Sequence, residues 1–232
     1  ELVSNVKYFS ENVIPAEKED FGLILMENRP EWIYTYFALW DRKAIPIALD
    51  STSSSKEILY VLGDSDPKFI ICSNESEKNV REAVSMYEKG EITVINVDNH
   101  PIDENKLEVI RNSNFELENP EGDSIATMLY TSGTTGSPKG VMLTFNNLSS
   151  ELEGLEKKDL LEPTDQILAL LPFHHVLPLT ATVLIILQHQ ASMVFVKKIA
   201  SKEILEALCY DKYPEGCANL AALHESDKYG MK

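Results

Sequence analysis

A chain of 232 residues is long enough for one well-filled hydrophobic core and part of a second domain, and its 44% hydrophobic and 25% charged residues are ordinary for a globular protein. Its 37 acids against 21 bases give a formal charge of −16, which repels nucleic acid and anionic membranes at long range and excludes a nucleic-acid partner. The three cysteines, Cys72, Cys209 and Cys217, are an odd number without zinc spacing and point to a reducing, cytoplasmic setting with no structural metal.

Strand and helix patterns alternate from the start. Residues 22–26 read as a buried strand, closed by the turn-prone Asn28-Arg29-Pro30. Residues 31–40 place Trp32, Tyr36, Phe37 and Trp40 at helical spacing. A strand at 45–49 follows, and Ser53, Ser54 and Ser55 offer N-caps for a helix through Leu62. Next come a strand at 69–72, a polar-faced helix at 75–87 and a strand at 92–97. Units of this length predict an α/β fold with a parallel sheet covered by helices. Residues 99–122, acidic and poor in apolar side chains, read as a surface connection. The longest apolar stretch, 167–187, is interrupted by Pro172, His174, His175 and Pro178; it predicts a buried strand and a core helix rather than a membrane span.

Residues 130–140 read Tyr-Thr-Ser-Gly-Thr-Thr-Gly-Ser-Pro-Lys-Gly. Glycines let a backbone turn tightly, and successive amides in such a turn form an anion-binding concavity. The hydroxyls of Thr131, Ser132, Thr134 and Thr135 add donors, and Lys139 adds a mobile positive charge. This mixture suits a polyphosphate. It is not the Walker loop, because Lys139 follows Pro138 and precedes Gly140. Apolar runs at 125–130 and 141–143 instead predict a loop between two short strands, with a helix starting near Thr144. Further on, His174 and His175 follow a strand at 167–169. Adjacent residues on an extended chain point to opposite sides, and no Cys or Asp partner stands at ligand spacing, so a metal site is disfavoured.

The string at 130–140, with Asp123-Ser124-Ile125-Ala126-Thr127-Met128-Leu129 before it and Val141-Met142-Leu143-Thr144 after it, resembles the signature of the adenylate-forming superfamily: acyl-CoA synthetases, luciferases and the adenylation domains of peptide synthetases. Residues 27–32 and 44–50 resemble two structural elements of that superfamily's N-terminal subdomain, and Phe-His-His-Val-Leu-Pro-Leu at 173–179 is most similar to long-chain fatty acyl-CoA synthetases. Phe145 stands where many relatives have histidine, and Gln190 where they have glycine.

The resemblance implies a partial N-terminal AMP-binding domain of the acyl-CoA synthetase/luciferase-like fold. It implies ATP with Mg2+, a fatty acid and CoA as small-molecule partners, and it allows peripheral membrane contact through the lipid substrate. Thr131, Ser132, Gly133, Thr134, Thr135, Gly136 and Lys139 would bind the β- and γ-phosphates, with Lys139 catalytic through charge neutralisation. His175 takes the family's histidine position beside the acyl carboxylate and the α-phosphate; His174 is expected to serve packing or to support it. One helix face of residues 176–184 would line the acyl pocket, or equally be plain core.

The adenine-contacting loop, ribose-binding aspartate, hinge and C-terminal lysine of that family are not found in these residues, so the 232-residue chain alone is expected not to turn over. Residues 1–208 read as the incomplete domain, spanning roughly the second to fourth tenths of such an enzyme. Residues 209–232 lack the expected hydrophobic strand. Shifted by one base, the codons of residues 210–215 can encode Met-Ile-Asn-Ile-Leu and those of 216–219 Val-Val-Pro, so a frameshifted tail is one expectation and a truncation the other.

Overall fold

Four short apolar runs become the strands β1 (Phe21–Leu25), β2 (Ile45–Leu49), β3 (Phe69–Cys72) and β4 (Thr93–Asn96) in the computed structural model, which describes residues 1–131, 138–158 and 161–196. They alternate with helices α1 (Leu2–Asn12), α2 (Pro30–Asp41), α3 (Ser55–Ser65) and α4 (Glu77–Ser85). Proline at the first position starts α2, where its missing N–H costs nothing. A capping box starts α3: the Glu57 N–H donates to the Ser54 hydroxyl, and the Ser54 N–H donates to the Glu57 carboxylate at 2.8 Å.

Two further strands, β5 (Ile125–Thr131) and β6 (Lys139–Thr144), complete a six-stranded sheet of order β4-β3-β1-β2-β5-β6. All neighbours are parallel except the β5–β6 hairpin. Pro46 has no N–H for a ladder, and the β2–β5 pairing begins only after it, at Ile47 and Ala48. The Thr127 hydroxyl donates to the Pro46 carbonyl instead, at 3.0 Å, within the buried seam.

Two hydrophobic cores cover the sheet. Trp32, Tyr36 and Leu39 of α2 belong to one, together with Val6 and Phe9 of α1. Ile58 and Leu62 of α3 and Val80 of α4 belong to the other. The chain therefore leaves β1 toward one face and leaves β2 and β3 toward the opposite face. In an open α/β sheet, such a reversal leaves a crevice at the carboxyl ends of the strands.

The connection expected at 99–122 is not purely a surface segment. It contains helix α5 (Glu104–Arg111), capped by the Asp103 carboxylate, which accepts from the Asn105 N–H at 2.9 Å. Leu107 and Ile110, one turn apart, are buried in the core beside α1, and the Tyr8 hydroxyl accepts from the Asp103 N–H at 3.0 Å. With Ile102, Phe115 and Leu117 packed against the same core, these side chains dock a segment that is otherwise acidic.

After the hairpin, Thr144 caps helix α6 (Phe145–Glu156) through a second capping box with Asn147. Strands β7 (Gln166–Leu168) and β8 (Ser192–Val194) pair in parallel as a small second sheet. Between them runs a helical stretch: α7 (Val176–Pro178), a π-helical segment (Leu179–Leu184) and α8 (Ile185–Gln188). It ends in a Schellman turn, with the Ala191 N–H donating to the Ile186 carbonyl at 3.0 Å and Gln190 held at φ 58°. Residues 197–232, with the tail expected from 209 on, lie outside the described residues.

Candidate functional site

The hairpin presents the phosphate-loop candidates at the carboxyl edge of the sheet. Thr131 and Lys139 face each other as the last rung of the β5–β6 ladder, and both are exposed. Ser132, Gly133, Thr134, Thr135 and Gly136 lie outside the described residues. One rung back, Gly140 pairs with Tyr130, and a Cβ on Gly140 would come within 2.8 Å of the Met128 sulfur. Any side chain here would have to displace the Met128 thioether from its place on the hairpin. Helix α3 holds both arms: the Tyr60 hydroxyl donates to the Pro138 carbonyl at 2.8 Å, and the Tyr130 hydroxyl donates to the Asp64 carboxylate at 2.7 Å. Burial and the Asp64 carboxylate push the Tyr130 phenol above its ordinary pKa, so it stays a donor.

The histidine loop leaves β7 at the same edge. Here the extended geometry expected for His174 and His175 is corrected. Residues 171–175 form a bend and turn ahead of α7, and the two imidazoles lie side by side with centroids 4.1 Å apart. His175 is exposed at the start of α7, whereas His174 is tucked inward, its Nε2 3.9 Å from an Asp50 carboxylate oxygen. That distance is too long for a hydrogen bond, and the contact becomes an ion pair only when His174 is protonated. Burial, and then the neighbouring His175, lower the His174 pKa against the pull of Asp50. At Asp50 burial opposes the charge, but the bonds donated by the Thr52 N–H and hydroxyl outweigh it and hold the carboxyl below its ordinary value.

Asn28 fixes this loop, a role the sequence did not reveal. Its amide donates to the Leu171 carbonyl at 2.8 Å and to the Ala169 carbonyl at 3.2 Å, and its oxygen accepts from the Phe173 N–H at 3.2 Å. Phe173 is buried edge-on against Trp32, with centroids 5.2 Å apart. The next residue, Arg29, bonds Glu31 at 2.8 Å, Asp98 at 2.9 Å and Glu27 at 3.1 Å. Burial disfavours its charge, but Glu31 and Asp98 outweigh that and raise its pKa. Ser73, at the end of β3, donates to Glu27 at 2.6 Å and ties this turn to the neighbouring strand. The signal available in the sequence was position alone: Asn28 and Asp50 each follow a parallel strand at its carboxyl end.

Together Asn28, Asp50, Ala169, Pro172 and His174 line a cleft of about 150 Å³ where β1 and β2 end. Thr131 ends β5, the strand beside β2, so the hairpin loop and the histidine loop share one edge. A larger cavity of about 520 Å³ opens at the opposite edge, among Phe21, Trp40, Ile45, Ile125 and Phe145. It lies at the amino ends of β1, β2 and β5 and is lined by none of residues 130–140 or 173–175. Among the described residues no three His, Cys, Asp or Glu side chains cluster as metal ligands. A magnesium ion at this edge would come coordinated to nucleotide phosphates, which is its usual manner of binding beside one or two carboxylates. No helix among the described residues is long and apolar enough to cross a membrane.

The chain is similar to known proteins over most of this region. It is 34% identical over 143 residues to fatty acyl-CoA synthetase A of Dictyostelium discoideum, a match covering 55% of this chain and 21% of that protein. It is 30% identical over 166 residues to a sulfoacetate–CoA ligase of Cupriavidus necator, covering 69% of this chain and 31% of that protein. The fold superimposes on O-succinylbenzoate coenzyme A synthetase of Bacillus subtilis in complex with AMP, with TM-score 0.72 and 26% identity over 90% of this chain and 52% of that one. The chain thus spans about a fifth to a third of the length of the two curated relatives. Residues 14–213 match the AMP-binding enzyme family, and the chain belongs to it.

Proposed function

We propose that this chain carries the phosphate-binding edge of an ATP-dependent fatty acid–CoA ligase. In the first step a carboxylate oxygen attacks the ATP α-phosphorus and pyrophosphate leaves, giving an acyl-adenylate. In the second, the CoA thiol attacks the acyl carbon, and AMP leaves with the bonding electrons while the thiol proton is lost. Phosphoryl chemistry of this kind relies on positioning and on neutralising charge. Lys139, with the magnesium carried by the nucleotide, would offset charge on the β- and γ-phosphates. Thr131, Ser132, Thr134 and Thr135 would donate hydroxyls, and Gly133 and Gly136 would let backbone amides approach. His175, exposed beside His174, would meet the acyl carboxylate, with His174 lining the cleft next to Asp50.

The observation that carries this reading is the last rung of the hairpin. Thr131 and Lys139 open the loop at the carboxyl edge of the sheet, beside the strand whose end meets the histidine loop. The fatty acid as substrate rests on the similarity of residues 173–179 to long-chain enzymes. The name of one relative, fatty acyl-CoA synthetase, agrees with it, while sulfoacetate and O-succinylbenzoate in the names of two others favour a second reading in which the acid is smaller or aromatic. Calorimetry of the 232-residue chain with MgATP, with inorganic pyrophosphate as competitor, tests the phosphate grip. Saturable binding relieved by pyrophosphate is expected, without acyl-CoA formation from any acid in a fatty, dicarboxylic and aryl panel. Acyl-CoA formation by this chain would reject its expected inactivity and would identify the acid directly; absence of MgATP binding would reject the grip.

A further inference from the structure

We infer that Tyr60 is a positioning residue for the phosphate loop, acting through the Pro138 carbonyl on the lysine that follows; the inference rests on the phosphate reading above. Tyr60 lies on α3, 78 residues before Pro138, and its hydroxyl donates to that carbonyl at 2.8 Å. The ring is 40% exposed, so it is not held there chiefly by burial. Pro138 cannot donate a backbone hydrogen bond, so its carbonyl is the main-chain group that this residue offers to a partner. The residue it precedes, Lys139, is the first rung of β6, so the bond fixes where the lysine leaves the loop. One helical turn further along α3, Asp64 accepts from Tyr130, the strand residue next to Thr131. A single helix face thus holds the chain on both sides of residues 132–137. The same helix begins beside Asp50, the partner of His174, which links the position of the hairpin to the histidine cleft.

A loop that must grip an anion gains affinity when its ends are already placed, because less ordering is left to the ligand. Tyr60→Phe keeps the ring and deletes only the donor. With MgATP as probe, its affinity is expected to fall about three- to tenfold, the range of one ordinary hydrogen bond. The melting temperature should stay unchanged, and amide exchange over residues 139–141 should quicken in the absence of nucleotide. Equal MgATP affinity in Tyr60→Phe and the parent chain overturns the inference, as does affinity lost only in proportion to stability. If the parent chain itself does not bind MgATP, the phosphate reading fails, and the exchange measurement alone decides the tether. Unchanged exchange at 139–141 then rejects it.

Discussion

The two loops at the carboxyl edge are held in different ways. The histidine loop is bound into the core, through three hydrogen bonds to Asn28 and the buried Phe173–Trp32 contact. The hairpin loop is tethered from outside, by one tyrosine hydroxyl on each arm reaching to or from an exposed face of α3. The first arrangement couples loop geometry to global stability. The second lets the loop's ends be set with little stake in the fold. The first suits a group that orients a carboxylate and needs a fixed place; the second sets where Thr131 and Lys139 stand at the ends of the proposed phosphate loop.

Asn28→Ala should show the coupling most strongly. Removing three bonds of ordinary worth is expected to cost about 2 kcal/mol of stability, read as a lower urea midpoint with unchanged m-value. The hairpin counterpart, Tyr60→Phe, should leave the midpoint in place. Equal destabilisation by the two substitutions would erase the distinction. A smaller and opposite effect is expected at the far end of the helical stretch. Gln190 adopts φ 58° at the Schellman position, where a side chain is strained. Gln190→Gly should stabilise by about 0.5 to 1 kcal/mol, the relief of strain exceeding the added freedom of the unfolded chain. A lower melting temperature would contradict that account.

The smallest expected effect is on pH dependence. Among the described groups, His175 and Asp50 are the charged or titratable neighbours that act on His174. The folded state lowers the His174 pKa, so below the ordinary value of about 6.5 the unfolded chain binds a proton that the folded chain refuses. Stability should therefore fall as pH drops from about 6.5 toward the depressed folded pKa. Asp50 adds a loss at lower pH, as it falls from about 3.8 through its own depressed value. His174→Asn should flatten the upper part only, as read from urea midpoints across that range. An unchanged slope would place the acid sensitivity elsewhere.

Local pattern made much of this molecule legible. Strand runs at 45–49 and 69–72, the run at 22–26 to within one residue, a serine cap within 53–55, a helix starting near Thr144 and the two strands around the hairpin loop all appear as spacing placed them. Helix α5 was missed because an acidic surround hid Leu107 and Ile110, although Asp103 was a fair cap signal. The side-by-side imidazoles were missed because a turn, and not a strand, carries them. Asn28 and Tyr60 could not have been read as positioning residues. Their partners lie about 140 and 78 residues away, and only the sheet order brings them together. Hydrogen bonds of that span leave no periodic trace in a sequence.

The central claim is that the corner between Thr131 and Lys139 grips phosphate. Its most direct test is calorimetric titration of MgATP into the chain and into Lys139→Ala. Lys139 is exposed, so the substitution should leave the melting temperature unchanged. Affinity is expected to fall about tenfold or more, as for loss of a charge-assisted contact. Equal affinity in the two proteins would contradict the account.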